Sequence, residues 1–304
     1  MLSILVALLP VFLLILLGTI LAKAGFPGQG FWPLVDRFSY FVLFPALLVK
    51  ELASADLGRF DPLPMVAGMS LGLYAQVALL MTLRARLPLD GPTFTSFFQG
   101  SLRFNTFTGL AAAQALHGGP GVALFAVAVA AMVPQINVFC VGVLARYAYG
   151  KGAGWRNQAR LIATNPMILA CLVGIALNLS EIRLPPVAGP VIDALGRAAL
   201  AFGLMAVGAA LDLRAARQGS AVIAGICTLK LLVFPLLMWC AATLLGIEGL
   251  TRAIMVLWAA MPISPASYIL ARQLGGNAQL MAAAISATTL AAAFSVAPVL
   301  AILG

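Results

Sequence analysis

The chain has 304 residues, of which 62% are hydrophobic and 9% charged; 18 Lys and Arg stand against 9 Asp and Glu, for a formal net charge of +9. A soluble domain carries roughly 25% charged and 45–50% apolar residues, so the composition excludes a soluble enzyme, a disordered chain and a disulfide scaffold. It leaves a polytopic helical membrane protein, with room for roughly ten spans of about 20 residues and no separate soluble domain.

Ten spans are predicted in chain order, at about 3–23, 33–50, 63–84, 93–116, 120–146, 161–180, 187–211, 219–245, 251–273 and 278–303. Gly25-Phe-Pro27-Gly28, Pro88, Gly91-Pro92, Gly118-Gly119-Pro120, Pro185-Pro186 and Gly275-Gly276 mark the turns between them. Ala22-Lys23-Ala24 is a faint signal-peptidase pattern. The apolar run before it exceeds the usual 7–15 residue core and no Lys or Arg precedes it, so it reads as an uncleaved first span. Cys140, Cys171, Cys227 and Cys240 all lie in apolar segments, as packing residues without metal or disulfide spacing.

The basic residues fall mostly between spans. With the N-terminus outside, the cytoplasmic connections hold Lys23, Arg84, Arg86, Arg146, Lys151, Arg156, Arg160, Arg214, Arg217 and Arg272, and the opposite face holds Lys50, Arg59, Arg183 and Arg252. The positive-inside rule then predicts N-out and C-out, and the positive excess marks topology without calling for nucleic acid.

The halves 1–150 and 151–304 resemble each other at an offset of about 156–158. Pro10 with Gly18 matches Pro166 with Gly174; Pro33-Leu-Val-Asp36 matches Pro190-Val-Ile-Asp193; Leu116-His-Gly-Gly119 matches Leu274-Gly-Gly-Asn277. Five spans is an odd number, so the second half inserts upside down, an arrangement used by secondary transporters.

Two segments at matching positions interrupt their spans. The fourth carries Arg103-Phe-Asn105-Thr106-Phe-Thr108-Gly109, and the ninth carries Met261-Pro262-Ile-Ser264-Pro265-Ala-Ser267. An interior proline removes a backbone bond and clashes with the preceding turn. Unwound backbone is tolerated at membrane depth only where protein or water covers it. The paired breaks are therefore candidate substrate-binding elements, with half-helix N-termini offering N–H donors to an anion.

Arg103 and Lys230 sit near the middle of their spans, too deep for easy snorkelling, and two cations at one depth suit an anionic ligand. Their structural alternative is pairing with a carboxylate or with the carbonyl end of a broken helix. Asp36 and Asp193 are repeat-matched acids near helix starts. They are candidates for proton or cation coupling, or, as a structural role, for helix-end stabilisation and an Asp193–Arg197 pair. Gln135 and Asn137 in the fifth span could reach a neighbouring break or bond across helices. His117, the one histidine, reads as a loop residue.

The chain resembles the auxin efflux carrier family, in its bacterial branch, over its whole length. The resemblance rests on Phe44-Pro45-Ala46-Leu47-Leu48, on Arg103-Phe-Asn105 with Gly109-Leu110, on Met261-Pro262 and on Ser286-Ala-Thr288-Thr289. It implies an all-α polytopic membrane protein of ten transmembrane helices in two inverted five-helix repeats, with the fourth and ninth helices broken and crossing. Spans 1, 2, 6 and 7 would form a scaffold that dimerises through spans 2 and 7, and spans 3–5 and 8–10 a transport domain. Where family members carry a proline near Gly109-Leu110, this chain has Ala111. The break is then softer, or carried by Asn105 and Gly109 alone.

The expectation is a secondary carrier of a small organic anion (a carboxylate, a dicarboxylate or an auxin-like acid) in the bacterial inner membrane, without a cofactor and coupled to protons or sodium. Its site would comprise Arg103, Asn105, Thr106, Thr108, Gly109, Asn137, Lys230, Pro262, Ser264 and Pro265, with Asp36, Asp193 and Gln135 as coupling candidates. The alternative is a sodium-coupled symporter of bile-acid-like amphipathic anions. An intramembrane enzyme would need a nucleophile–base pair or metal ligands at span depth, which this sequence does not supply.

Overall fold

The computed structural model describes residues 2–54, 62–148, 164, 166–180, 185, 187–211 and 221–304. Arg59, Arg183, Arg214, Arg217 and most of the basic 147–160 connection lie outside the described residues. The described residues form helices joined by turns, with no strand among them. They are α1 (Leu2–Lys23), α2 (Phe31–Ala53), α3 (Pro62–Arg84), α4 (Gly91–Leu102), α5 (Thr106–Tyr147), α6 (Pro166–Leu179), α7 (Ala188–Ala209), α8 (Ala221–Leu244), α9 (Gly249–Ala260), α10 (Ala266–Gln273) and α11 (Ala278–Leu303).

Length and hydropathy qualify seven helical stretches to cross a bilayer, and α6 and α9 are shorter apolar helices. α1 leaves Val6, Leu9, Leu13, Leu16, Leu17 and Ile20 exposed along its length. Such a continuous apolar face has no place in water and fits lipid. The protein is thus a polytopic helical membrane protein.

α5, with 42 residues, would run about 63 Å if straight, twice the hydrocarbon core. Gly118 breaks it with φ 61° and ψ −152°. The chain reverses there: a Cβ on Gly91, at the start of α4, would sit 1.9 Å from the Tyr147 carbonyl at the end of α5. The predicted boundary between the fourth and fifth spans therefore falls at a real turn inside one helical run.

Two further irregularities escaped the sequence reading. α2 widens to a π turn over Ser39–Leu43, and α8 does the same over Leu229–Val233. Each lies just before a Phe-Pro pair, Phe44-Pro45 and Phe234-Pro235. A proline ring clashes with the carbonyl four residues back, and an inserted residue relieves the clash.

Small residues let backbones approach. A Cβ on Gly18 would meet the Met205 carbonyl oxygen at 2.0 Å, and one on Gly208 would meet that of Ile15 at 1.8 Å. Thr19 Oγ1 donates to the Gly208 carbonyl at 2.8 Å across the same α1–α7 contact. The end of α2 rests on α6, where Asn178 Nδ2 donates to the Leu52 carbonyl at 3.1 Å, and Gly196 of α7 lies on Leu47. α3 packs mainly on α8 and next on α5. Ile4, Ala7, His117, Leu300 and Gly304 line one small cavity of about 320 Å³, which brings the first turns of α1 close to the end of α11.

Gly208→Val is expected to lower the thermal unfolding midpoint of purified protein by several degrees, since forcing atoms into a packed contact costs about 1–3 kcal/mol. Gly142→Ala, where an added Cβ meets nothing within 4 Å, is the control and leaves the midpoint unchanged.

Candidate functional site

α4 and α9 are each twelve residues long and end alike. The residue after α4, Arg103, has φ −70° and ψ 146°; the residue after α9, Met261, has φ −69° and ψ 144°. Both chains leave the helix extended, so the two helical runs are interrupted at the positions that the sequence predicted. The two interruptions touch. The Asn105 N–H donates to the Pro262 carbonyl at 2.7 Å, so each break supplies the backbone partner the other lacks. The Ile263 N–H is satisfied by Thr288 Oγ1 of α11 at 3.3 Å.

Asn105 also caps α5. Its Oδ1 accepts from the N–H groups of Phe107 (3.0 Å) and Thr108 (3.2 Å). At the start of α10, Ser264 Oγ accepts from the Ala266 N–H at 3.3 Å and the Ser264 carbonyl accepts from Ser267 N–H at 3.0 Å. These half-helix amides are therefore already engaged by their own chain. Side-chain donors lie beside the same breaks.

The residues that carry those donors line a cavity of about 560 Å³. Arg103, Asn105, Thr106, Asn137, Ser264, Pro265 and Asp36 line it, together with an apolar wall that includes Phe41, Phe104, Phe107, Val133 and Met167. Arg103 Nη2 donates to Asn137 Oδ1 at 3.0 Å. Its Nη1 and the Asn105 Nδ2 are buried with no hydrogen-bond partner among the described residues. Two unmet donors, one of them cationic, beside an apolar wall suit an anionic head on an organic body.

The remaining predicted residues stand elsewhere. Pro262 reaches the site through its carbonyl. Thr108 and Gly109 lie inside α5, Gly109 so close to Phe125 that a Cβ would sit 2.1 Å from the ring. Gly109 is helical and packs on that ring, and the break is carried by residues 103–105. Gln135 donates to Ser70 Oγ and to the Ala131 carbonyl, each at 3.1 Å. Asp193 is held by Lys50 and Arg197. Of the two repeat-matched acids, Asp36 alone lines the cavity.

Lys230 does not line the cavity either. It is fully buried; its Nζ donates to the Ala259 carbonyl at 2.7 Å and lies 4.9 Å from the centre of the Phe234 ring and 5.9 Å from that of Trp258. A charge at membrane depth costs at least about 2.5–3.5 kcal/mol. A charge-assisted hydrogen bond contributes about 1.5–3 kcal/mol and cation–π contact up to about 2 kcal/mol, so the ammonium is accommodated without a carboxylate. Its partner is the carbonyl end of a broken helix, the structural alternative for this residue.

The sequence reading missed Arg37, Tyr40 and Phe41, which also line the cavity. Tyr40 and Phe41 belong to the α2 π turn, and a signal for it was present: the ring of an interior proline clashes with the carbonyl four residues back, and before both Phe-Pro pairs the turn widens. Phe44 of the same pair stacks on Phe107 with ring centroids 4.1 Å apart and planes 3° off parallel, fixing α2 against the start of α5.

Asn105→Ala removes the cap and is expected to destabilise the purified protein by about 1 kcal/mol, whereas Asn105→Ser keeps a neutral capping acceptor and more of the stability. Thermal unfolding in detergent measures both.

Residues 156–300 match the family described as membrane transport protein. The chain is 29% identical to a protein of Rhizobium meliloti (strain 1021) named "Putative malonate transporter", over 93% of this chain and 90% of that one. It is 26% identical to a protein of Methanothermobacter thermautotrophicus named "Uncharacterized transporter", over 93% of this chain and 92% of that one. These matches, over the second half of the chain for the family and over nearly all of it for the two relatives, mark the chain as a membrane transporter and not an enzyme.

Proposed function

We propose that the protein is a secondary carrier that moves a small organic anion across the membrane by alternating access at the crossing of its two breaks. The observation that carries this reading is the pair of unmet donors, Arg103 Nη1 and Asn105 Nδ2, on residues that line a cavity built on both breaks. The guanidinium takes the carboxylate, Asn105 and Ser264 orient it, and the apolar wall covers its hydrocarbon part.

In this reading the chain is ten spans in two inverted halves, 1–150 and 151–304. The equal length of α4 and α9, their starts 158 residues apart and their matching extended exits support the repeat. Spans 1, 2, 6 and 7 are the scaffold and spans 3–5 and 8–10 the moving part, an assignment supported by the close α1–α7 and α2–α6 packing and by α3 resting on α8. Asp36, at the exposed edge of the cavity, is the coupling residue for a proton or cation. A homodimer through spans 2 and 7 and an N-out, C-out insertion in the bacterial inner membrane complete the reading.

The relative's name points to malonate, while a wall of aromatic and branched side chains suits a carboxylate with a larger apolar body. Proteoliposome uptake of malonate, phenylacetate and a bile acid, with sodium present or replaced by choline, separates these cases. Uptake of a small carboxylate independent of sodium supports the proposal. Sodium-dependent uptake of the bile acid alone replaces it with the symporter reading.

Arg103→Met removes a charge-assisted bond of about 1.5–3 kcal/mol, which corresponds to a loss of about tenfold to a hundredfold in affinity for the transported anion. Unchanged affinity contradicts the assignment of Arg103.

A further inference from the structure

The carbonyl ends of the two half-helices are treated alike, and neither treatment is explained by the cavity. In α9 the penultimate residue, Ala259, gives its carbonyl to Lys230 Nζ at 2.7 Å. In α4 the penultimate residue, Ser101, gives its carbonyl to Gln76 Nε2 at 3.3 Å. Both donors are fully buried, and they come from α8 and α3 respectively. The last carbonyls of a helix lack intrahelical partners and carry the negative end of its dipole. In a continuous span that end reaches water; here it stops in the protein interior.

The two caps are linked. The same Gln76 Nε2 also lies 3.3 Å from the Leu229 carbonyl, the peptide that leads into Lys230. Leu229 and Lys230 open the π turn of α8, so that turn presents an acceptor to Gln76 and a donor to α9 from adjacent residues. A third contact joins the cap to the cavity. Trp258, against the ammonium, packs 4.6 Å from Phe104, which stands between Arg103 and Asn105 in the break and lines the cavity.

We infer that Lys230 and Gln76 are positioning residues that hold the carbonyl ends of α9 and α4 in register, so that the Asn105–Pro262 contact forms and the anion site above it keeps its shape. Lys230 supplies a resident positive charge behind the crossing and does not touch the transported molecule. The two ends differ in one respect: an ammonium caps α9 and a neutral amide caps α4, so the α9 end depends on charge and the α4 end on hydrogen bonding alone. The consequence for transport rests on the carrier reading above; the consequence for the crossing does not.

The experiment compares wild type with Lys230→Met, Lys230→Arg and Gln76→Leu as full-length protein in nanodiscs. Hydrogen exchange is followed in peptides covering residues 99–110 and 256–268, with 188–209 as internal control. Lys230→Met is expected to speed exchange in both break peptides by about tenfold or more, the scale of losing a local closing interaction, while the control stays as in wild type. Lys230→Arg, which keeps donor and charge, returns exchange toward wild type, and Gln76→Leu acts chiefly on 99–110. Should Lys230→Met not yield monodisperse protein, Lys230→Gln is read in the same way. Exchange unchanged in the breaks, or raised equally in the control, overturns the inference.

The same variants are assayed for uptake of malonate or phenylacetate, whichever wild type transports. A rise in KM of about tenfold for Lys230→Met with recovery in Lys230→Arg is the expected split; KM unchanged overturns the link to the site. If wild type transports neither acid, the carrier reading fails, and the exchange result still decides the role of Lys230.

Discussion

The structure depends on one backbone hydrogen bond, from the Asn105 N–H to the Pro262 carbonyl. Breaking a helix inside a membrane exposes peptide groups with no water to take them, at a cost of several kcal/mol for each unmet group. A single break has no economical remedy. Two breaks that meet satisfy each other, and the rest of the central arrangement serves that meeting. Asn105 caps the helix that restarts, Thr288 takes the Ile263 N–H, and Lys230 and Gln76 take the carbonyls of the helices that stop. The cavity is the by-product of this geometry: two chains that leave their helices extended cannot fill the space that helical turns would have filled.

That constraint accounts for the division of the charged residues. Most of the 18 Lys and Arg flank spans. Arg103 lies at the exit of α4 and Lys230 lies on α8 against the carbonyl end of α9, and they act differently. The Arg103 guanidinium is long and forked, so it binds Asn137 with one nitrogen and leaves another without a partner among the described residues. The Lys230 ammonium has a point charge and is spent on one carbonyl and two aromatic faces. Two cations at one depth, which suggest a double-charge site in sequence, resolve into one that lines the cavity and one that is buried against a helix end.

Much of this was legible from sequence because it follows from local chemistry. Apolar runs, turn residues and Lys/Arg placement marked the spans, and Pro262-Ile-Ser-Pro265 at a fixed offset from Asn105 marked the breaks. Orientation of side chains was not legible. Asp36 and Asp193 match in the repeat, yet one lines the cavity and the other is consumed by Lys50 and Arg197, because their neighbours on other helices differ. Thr108 and Gly109 follow Asn105 closely but turn with α5 away from the site. The amides of the restarting helices looked available in sequence and are taken by Asn105 and Ser264, whose capping habit could have been anticipated from their residue types. The π turns leave no periodic trace, though the Phe-Pro pairs just beyond them do.

The claim that the crossing holds an anionic ligand is tested most directly by protection at Ala266, an exposed residue on the cavity wall. Ala266→Cys is made in a background with Cys227 and Cys240 replaced by serine, and labelled with a maleimide in proteoliposomes. The transported carboxylate, at a concentration that saturates uptake, should slow labelling strongly, and the protection should vanish when Arg103→Met is added. Labelling that proceeds at the same rate with and without the carboxylate would contradict a binding site between the two breaks.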